Sequence, residues 1–551
     1  MNIESIIINL LKKQTKLKEI TLENPPDPKL GDYAFPCFQL SKTSKKSPVE
    51  IAKSLESIKL PKEIEKVKAI GPYLNFYINP NRLAESVIKQ ILKEKNKYGA
   101  KKNKEKIIVE YVSPNTNKSL HLGHVRNGLL GTALSNILQS QGYNVIKASL
   151  NNDRGTGMSE AMLGYLMYHK GENPKTKPDH FVAQCYVDYK QSETEETKAK
   201  VQKLTLDWEN NNKEVRELWS KLTKWVYQGY KETYKNLGIE FDKEYYESKI
   251  YTKGKEIVHQ GLKKGIFKKK DGVIIAKLEK YNLPDKILIK SDGTSLYMTQ
   301  DLYLAKLKEQ DFKIDRSIYV VASEQDLHFK QLFQILELLD FKVSKKCYHL
   351  SYGLVNLHSG RMKSREGNVI DADDIIEEVT SLAREELKKR EEKDIEKKAR
   401  IIGLAALKFF MLKFDNATSF VYDPQQSLSF EGETGPYCQY TYARIKSILR
   451  KCKTKVPVKI TDLTTGEEKN IIMLLYKYPK VLEYSAENYK PHLLSRFILD
   501  LCQAFNEFYH QHQILKAEKD LKVSRLNLII ATSIIIENSL KLLGIETLES
   551  M

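Results

Sequence analysis

The chain has 551 residues, enough for two to four domains, and 90 Lys and Arg against 71 Asp and Glu leave it with a formal net charge of +19. With 41% hydrophobic and 29% charged residues it can build real cores, which excludes a disordered or fibrous protein. The positive excess suits a polyanionic partner, although a lysine-rich solvated surface reads the same way. No run approaches 18 consecutive apolar residues, and MNIESIIINLLKKQ has neither a basic lead-in nor a small-residue cleavage site. A membrane span and a secretory signal are therefore not expected. The six cysteines (Cys37, Cys185, Cys347, Cys438, Cys452 and Cys502) form no CxxC pair, so no structural metal and no disulfide framework is expected, in keeping with a reducing cytoplasm.

In chain order, residues 1–100 read as a small α+β unit. A helical start is followed by the turn-rich NPPDPKLGDY, a helical stretch around Val49–Ile58 and the strand-like KAIGPYLNFYINP. The lysine-rich AKKNKEK connects to IIVEYVS, a short apolar strand. A loop through Gly123 leads to a helical pattern from about Val125 to Ser140, and QGYNVIKASLNND gives the next strand. Strand, helix and strand in about 45 residues form a βαβ unit with a parallel sheet. Residues 170–235 are charged, with Leu and Trp at helical spacing, and read as a helical insertion. GVIIAKL, KILIKSDGTSLYMT and RSIYVVAS return to strand patterning, and from about Arg384 onward the period is helical. The expected architecture is α/β: a Rossmann-like parallel-sheet domain over 101–383, a small α+β domain before it and an all-α helical bundle over 384–551.

The sharpest local signal is SPNTNKSLHLGHVRNGLLG, which sets His121 and His124 three residues apart around Gly123 between a strand and a helix. Ligands bind at that carboxyl-end loop in open α/β sheets, and the following helix N-terminus favours phosphate. Gly123 would let a nucleotide approach the backbone, and two imidazoles could hydrogen-bond a phosphoryl transition state. A metal pair or two surface histidines are the alternatives. The second signal is GRMKSREGNVI, with Arg361, Met362, Lys363, Ser364 and Arg365 in a glycine-bounded stretch. Such a loop can neutralise a leaving pyrophosphate, or be an ordinary solvated loop.

HLGH followed by RMKSR resembles the HIGH and KMSKS signatures of class I aminoacyl-tRNA synthetases. VEYVSPNTNKSLHLGH, YMTQDLYLA, YVVASEQDLHFKQL, GRMKSREGN and GETGPYCQYTYARI, in that order, resemble the arginyl-tRNA synthetase family. GDYAFPCFQLSK and IGPYLNFYI are similar to that family's additional N-terminal domain. The resemblance covers essentially the whole chain. It implies ATP-dependent attachment of L-arginine to tRNA(Arg), with ATP binding by His121, Gly123, His124, Arg361, Met362, Lys363 and Ser364. It also implies an arginine pocket of Glu110, Ser113, Asn115, Tyr297, Asp301 and Gln325, with His328 near it. A guanidinium suits paired carboxylate contacts, although Glu110 and Asp301 taken singly read as surface or capping residues.

Contact with tRNA is implied for Tyr73 and Asn75 at the elbow, and for Tyr437, Tyr440, Arg444 and Met551 in the helical domain, where Gln439 shares the same helix. Base stacking beside basic groups suits that role, while buried aromatics are the alternative for Tyr73, Tyr437 and Tyr440. Mg²⁺ is implied as the partner of ATP, together with tRNA-dependent activation, a cytoplasmic monomer and no membrane partner. Ser364 stands where the family often has a loop lysine, which leaves Lys363 and Lys118 as alternative catalytic cations. NNDRGTGM (151–158) departs from the usual Gly-Asp-Trp-Gly stretch. A small-molecule adenylyltransferase, a non-catalytic RNA-binding relative and a synthetase for another amino acid are the competing readings. The first needs neither terminal domain, the second would lack the site residues, and Glu110 with Asp301 favours a cationic substrate.

Overall fold

In the computed structural model, which describes residues 3–294, 296–356, 370–389, 394–452 and 456–551, the apolar runs sort into four sheets and the helices around them. The N-terminal helix Ile3–Thr15 buries Ile3, Ile7 and Leu11, one face at four-residue spacing. Strands β1 (Tyr33–Pro36), β2 (Ile64–Ile70) and β3 (Tyr73–Ile78) form an antiparallel sheet in the order β1-β3-β2. The expected single strand is thus a hairpin, turned at Gly71 with φ of 57°. Leu74, Phe76 and Ile78 face the core, as alternation along a strand requires.

The helix Pro80–Glu94, capped by Asn79 with proline at its first position, lies against helices Gly466–Glu487 and Lys519–Leu542. The beginning and end of the chain are therefore neighbours. The Ile3 N–H donates to the Tyr476 hydroxyl at 3.0 Å, and the Tyr98 hydroxyl donates to the Leu475 carbonyl at 3.2 Å.

The central sheet is parallel. β4 (Lys106–Glu110) and β5 (Asn144–Asn151) enclose the helix Leu122–Ser140, and β6 (Lys243–Tyr246) extends that edge beyond the insertion helices Pro178–Gln191, Glu195–Glu209 and Lys213–Leu237. β7 (Lys268–Lys270), β8 (Val273–Ala276) and β9 (Lys286–Ile289) form a separate antiparallel sheet. β10 (Arg316–Ala322) then pairs on the other side of β4, followed by β11 (Cys347–Tyr352), giving the order β11-β10-β4-β5-β6. The direction of winding reverses between β4 and β10, so the loops leaving their carboxyl ends diverge and open a crevice.

Among the described residues the C-terminal region is helical apart from β13 (Phe420–Val421), which pairs in parallel with β12 (Val355–Asn356). The helix Lys519–Leu542 is, among the described residues, long and apolar enough to cross a membrane. Its apolar window is 72% buried in the bundle, with Leu528, Ile529, Ile535 and Ile536 inaccessible.

Arg126 holds this junction. Its fully buried guanidinium donates to the carbonyl of Gly353, to that of Asn416 at 3.1 Å and to that of Thr418 at 3.0 Å, and lies 4.6 Å from the Phe420 ring. One side chain on the helix Leu122–Ser140 thereby ties the loop after β11 to the segment entering the helical domain. Arg126→Met removes the hydrogen bonds to the buried Gly353 and Asn416 carbonyls and to that of Thr418, and should lower stability by roughly 3 kcal/mol. The first transition in denaturant unfolding measures this, and an unchanged midpoint would contradict the assignment.

Candidate active site

The loop leaving β4 is strained. Val112 and Ser113 adopt φ of 66° and 45°, and a β-branched residue there costs of order 1–3 kcal/mol. The strain is held by hydrogen bonds. The Val112 N–H donates to Asn127 Oδ1 at 2.6 Å, and Asn127 Nδ2 donates to the Val320 carbonyl at 2.8 Å and the Tyr352 hydroxyl at 3.1 Å. Ser113 Oγ accepts from the Leu150 N–H at 3.2 Å. Asn115 is exposed, and the buried Tyr230 hydroxyl lies between the carbonyls of Asn115 (2.9 Å) and Lys118 (2.6 Å). This loop delivers the chain to His121.

The helix begins at Leu122, earlier than its apolar pattern indicates, because His121 is its cap. His121 Nδ1 accepts from the Gly123 N–H at 3.1 Å, and His124 Nδ1 accepts from the His121 N–H at 3.1 Å. This is a reciprocal capping box made by imidazoles. With both Nδ1 atoms accepting, each ring carries its proton on Nε2. The ring centroids are 3.9 Å apart. Burial pushes His121 down to about 4, with Lys118 adding to the shift and Asp371 opposing it. Burial, His121 and Lys118 hold His124 well below the ordinary value. The turn therefore presents two neutral donors at a helix N-terminus.

Gly123 serves this arrangement directly. A Cβ there would stand 2.9 Å from His121 Cε1, so its free space belongs to the His121 ring. Lys118 sits beside the turn, its ammonium 5.5 Å from the Tyr186 ring centroid. Arg361, Met362, Lys363, Ser364 and Arg365 lie outside the described residues. Where description resumes, the Ile370 carbonyl accepts from the Leu122 N–H at 3.2 Å, and the Ala372 N–H donates to Leu120 at 2.8 Å. The chain emerging from the basic stretch thus runs against the histidine turn.

Of the carboxylates expected for a guanidinium, Glu110 is buried at the end of β4 and ion-paired with fully buried Lys308, whose ammonium lies 3.9 Å from the Tyr319 ring centroid. Its charge is balanced inside the fold. Asp301 lies one turn beyond the exposed Tyr297, and its Oδ2 is 2.6 Å from His328 Nε2. Gln325 is exposed in the turn following β10.

Sequence reasoning did not single out Glu247, a buried carboxylate just beyond β6. It accepts from Gln300 Nε2 at 2.6 Å and lies 3.5 Å from Arg154. Burial raises it to about 7; Arg154 and Gln300 pull it down, and Asp153 and Asp301 push it up. Its place at a strand's carboxyl end was the available signal. The divergent NNDRGTGM stretch supplies both neighbours. Asp153 accepts from Tyr227 at 2.9 Å and from the Ser248 hydroxyl at 2.7 Å, while Arg154 also pairs with Glu209.

The residues expected to meet RNA lie elsewhere. Tyr73 is half-buried, edge-on to the exposed Phe38 at 6.0 Å. Asn75 is 4% exposed, beneath the loop at Gly31, so it offers little free surface. Tyr437, Tyr440 and Arg444 do share one helix, Gly435–Lys451. Arg444 donates to Asn506 Oδ1 at 2.6 Å and lies over the rings of Tyr440 (4.8 Å) and Tyr509 (5.2 Å). Asn506 also donates to the Tyr437 hydroxyl at 3.0 Å. Gln439 is buried, its amide donating to the Glu546 carbonyl. Met551 and Phe430 both pack against the buried cluster around Leu387, Ile402 and Leu428, and Phe430 meets Tyr440 edge-on.

A parallel sheet with a histidine-capped helix at its switch point, joined to a helical domain, has a close counterpart. Residues 87–424 match the family described as tRNA synthetases class I (R), catalytic domain. The fold is that of a class I aminoacyl-tRNA synthetase. Residues 438–551 match the DALR anticodon binding domain, and residues 1–78 the arginyl tRNA synthetase N terminal domain. The chain is 42% identical to an arginine–tRNA ligase of Treponema denticola, over 97% of this chain and 95% of that protein. It is 38% identical to one of Phocaeicola vulgatus, over 100% and 98%. The arginyl-tRNA synthetase structure of Thermus thermophilus superposes with a TM-score of 0.82 at 25% identity, covering 100% of this chain and 99% of that one. The chain belongs to the arginine–tRNA ligase family, whose substrates are arginine, ATP and tRNA.

The capping geometry has a direct spectroscopic consequence. At pH 7 both His121 and His124 should show the Nε2–H tautomer by ¹⁵N-detected NMR, with His121 acquiring charge only near about 4. Titration of either ring near 6.5 would refute the capping assignment. Gly123→Ala should displace the His121 ring and abolish this tautomer signature at His121 while the protein remains folded.

Proposed function

We propose that ATP binds with its phosphates at the His121–His124 turn, and that the arginine carboxylate attacks the α-phosphate there to give arginyl-adenylate and pyrophosphate. The terminal ribose of tRNA(Arg) then attacks the activated carbonyl. The observation that carries this reading is the pair of neutral Nε2–H donors at a helix N-terminus on the switch point. They can meet charge developing on the phosphoryl oxygens without themselves exchanging a proton. Lys118 or Lys363, with Arg361, Met362 and Ser364, holds the leaving pyrophosphate, and Mg²⁺ enters with ATP as part of that substrate.

On this reading Asp301 and Tyr297 receive the guanidinium, while Ser113, Asn115 and Gln325 line the approach. Glu110 holds the pocket floor through Lys308, and Glu247 adds a second titratable carboxylate within electrostatic reach of Asp301. Tyr437, Tyr440, Arg444 and Met551 form the face for the anticodon region, and Tyr73 and Asn75 lie toward the tRNA elbow. The enzyme acts as a cytoplasmic monomer with no membrane partner, and activation requires tRNA.

Pyrophosphate exchange into ATP, run with each amino acid with and without tRNA, tests this directly. Exchange should be specific for arginine and appear only with tRNA, and His124→Ala should reduce it at least about 100-fold. Exchange driven by another amino acid, or undiminished in His124→Ala, would overturn the reading. Arginine binding should also release a proton near pH 7, because a second cation lowers Glu247 from about 7. Apparent arginine affinity then rises as pH increases through that value. Calorimetry in buffers of different ionisation enthalpy measures the release, and Glu247→Gln should remove it.

A further inference from the structure

A cluster of charged side chains outside the substrate pockets joins three segments that are remote in sequence. Lys177 Nζ lies 2.7 Å from Asp373 Oδ2, 3.0 Å from Asp179 Oδ1 and 2.7 Å from Thr233 Oγ1. His180 Nε2 is 3.1 Å from Asp373 Oδ2 and 3.3 Å from Asp371 Oδ1. Thr233 Oγ1 lies 3.1 Å from both Asp373 oxygens, and the Asp373 N–H donates to Asp371 Oδ1 at 2.8 Å. Asp179 is inaccessible to solvent and occupies space left by Gly229, where a Cβ would stand 2.0 Å from its Oδ1. Asp179, His180 and Asp373 have the spacing of a metal site, but the Lys177 ammonium already supplies the cation among their carboxylates.

What the cluster grips is informative. Ile370–Ala372 runs antiparallel to the histidine turn. The Leu122 N–H donates to Ile370 and the Ala372 N–H to Leu120, with His121 opposite Asp371. The Ser119 side chain hydrogen-bonds Asp371. The segment held by Lys177, His180 and Thr233 is therefore the one that flanks His121 on both sides. A tie needed only for stability is met as well by apolar packing, since burying charge carries a desolvation penalty. Directional charged hydrogen bonds additionally fix register and angle.

We propose that Lys177, Asp179, His180, Thr233, Asp371 and Asp373 form a positioning network for ATP, in which the insertion helices set the aim of the His121 and His124 Nε2–H donors by holding Ile370–Asp373 against their turn. None of the six is a catalytic residue. The inference rests on the reading that the histidine turn binds ATP. His180 is protonated in this setting, as its hydrogen bonds to Asp371 and Asp373 raise it to about 10 against the cost of burial.

The test uses full-length enzyme in tRNA-dependent pyrophosphate exchange, with KM for ATP and for arginine measured separately. His180→Gln and Asp373→Asn should each raise the ATP KM roughly tenfold while leaving the arginine KM within about twofold. His180→Lys, which restores a cation, should recover most of the loss. His124→Ala separates the two levels of inference. Undiminished exchange in that variant removes the ATP reading itself. Exchange lost in His124→Ala but with ATP KM unchanged in His180→Gln and Asp373→Asn overturns the network alone. An equal loss for both substrates, accompanied by a lower thermal midpoint and no rescue by lysine, overturns it as well, because a merely structural tie behaves that way.

Discussion

The buried guanidinium of Arg126 is the interaction on which the remainder of the molecule is hung. It sits on the second turn of the helix that begins at the histidine cap, and it hydrogen-bonds three carbonyls from two other segments. The helix cannot tilt without stranding those carbonyls, and the loop after β11 cannot shift without exposing the same cost to the 415–420 segment. Gly353 shows how tight the junction is, since a Cβ there would stand 2.5 Å from the Thr418 backbone. The first two turns of this helix thus divide their work. His121 and His124 cap its N-terminus, while Arg126 and Asn127 reach inward and hold the sheet, the strained β4 loop and the entry to the helical domain in one frame.

Within that frame, environment sets nearby histidines to opposite states. Near the histidine turn there is burial, a neighbouring lysine and a second ring, all of which disfavour the imidazolium. Around His180 there are two carboxylates, and the imidazolium is held. On the proposed reading, a neutral donor beside the phosphates adds no charge, and countering pyrophosphate is left to lysine and arginine side chains. A fixed imidazolium pair there would bind ground state and transition state alike, which strengthens binding without speeding the step.

Much of this was legible in the sequence, and the limits have physical reasons. Periodicity marked the insertion helices, the bundle and the central strands because their apolar faces are continuous. It could not show that β7 to β9 form their own sheet, since strand patterning reports burial and not partners. It placed the start of the histidine helix late because histidine is an unusual cap, and the capping contact of His121 is visible only in three dimensions. The pairing of β13 with β12 escaped because two-residue strands have no period. The family resemblance was carried by the order of the motifs. Glu247 and the Lys177–Asp373 cluster were not legible, because charged residues look like solvated surface until the fold brings distant partners together.

The same long-range pairing decides what the carboxylates near the substrate site can do. Glu110 and Asp301 are equivalent in sequence, each an acid close to an apolar run. In the fold, Glu110 faces a lysine with no solvent access, and separating that pair to admit a substrate cation would leave the Lys308 ammonium buried and uncompensated. Asp301 faces the His328 imidazole, is only partly buried, and stands one turn beyond an exposed tyrosine. Admitting a cation beside Asp301 would strand no buried ammonium, so on the proposed reading the guanidinium is met there. The more deeply buried Glu110 stays tied to Lys308 at the end of β4.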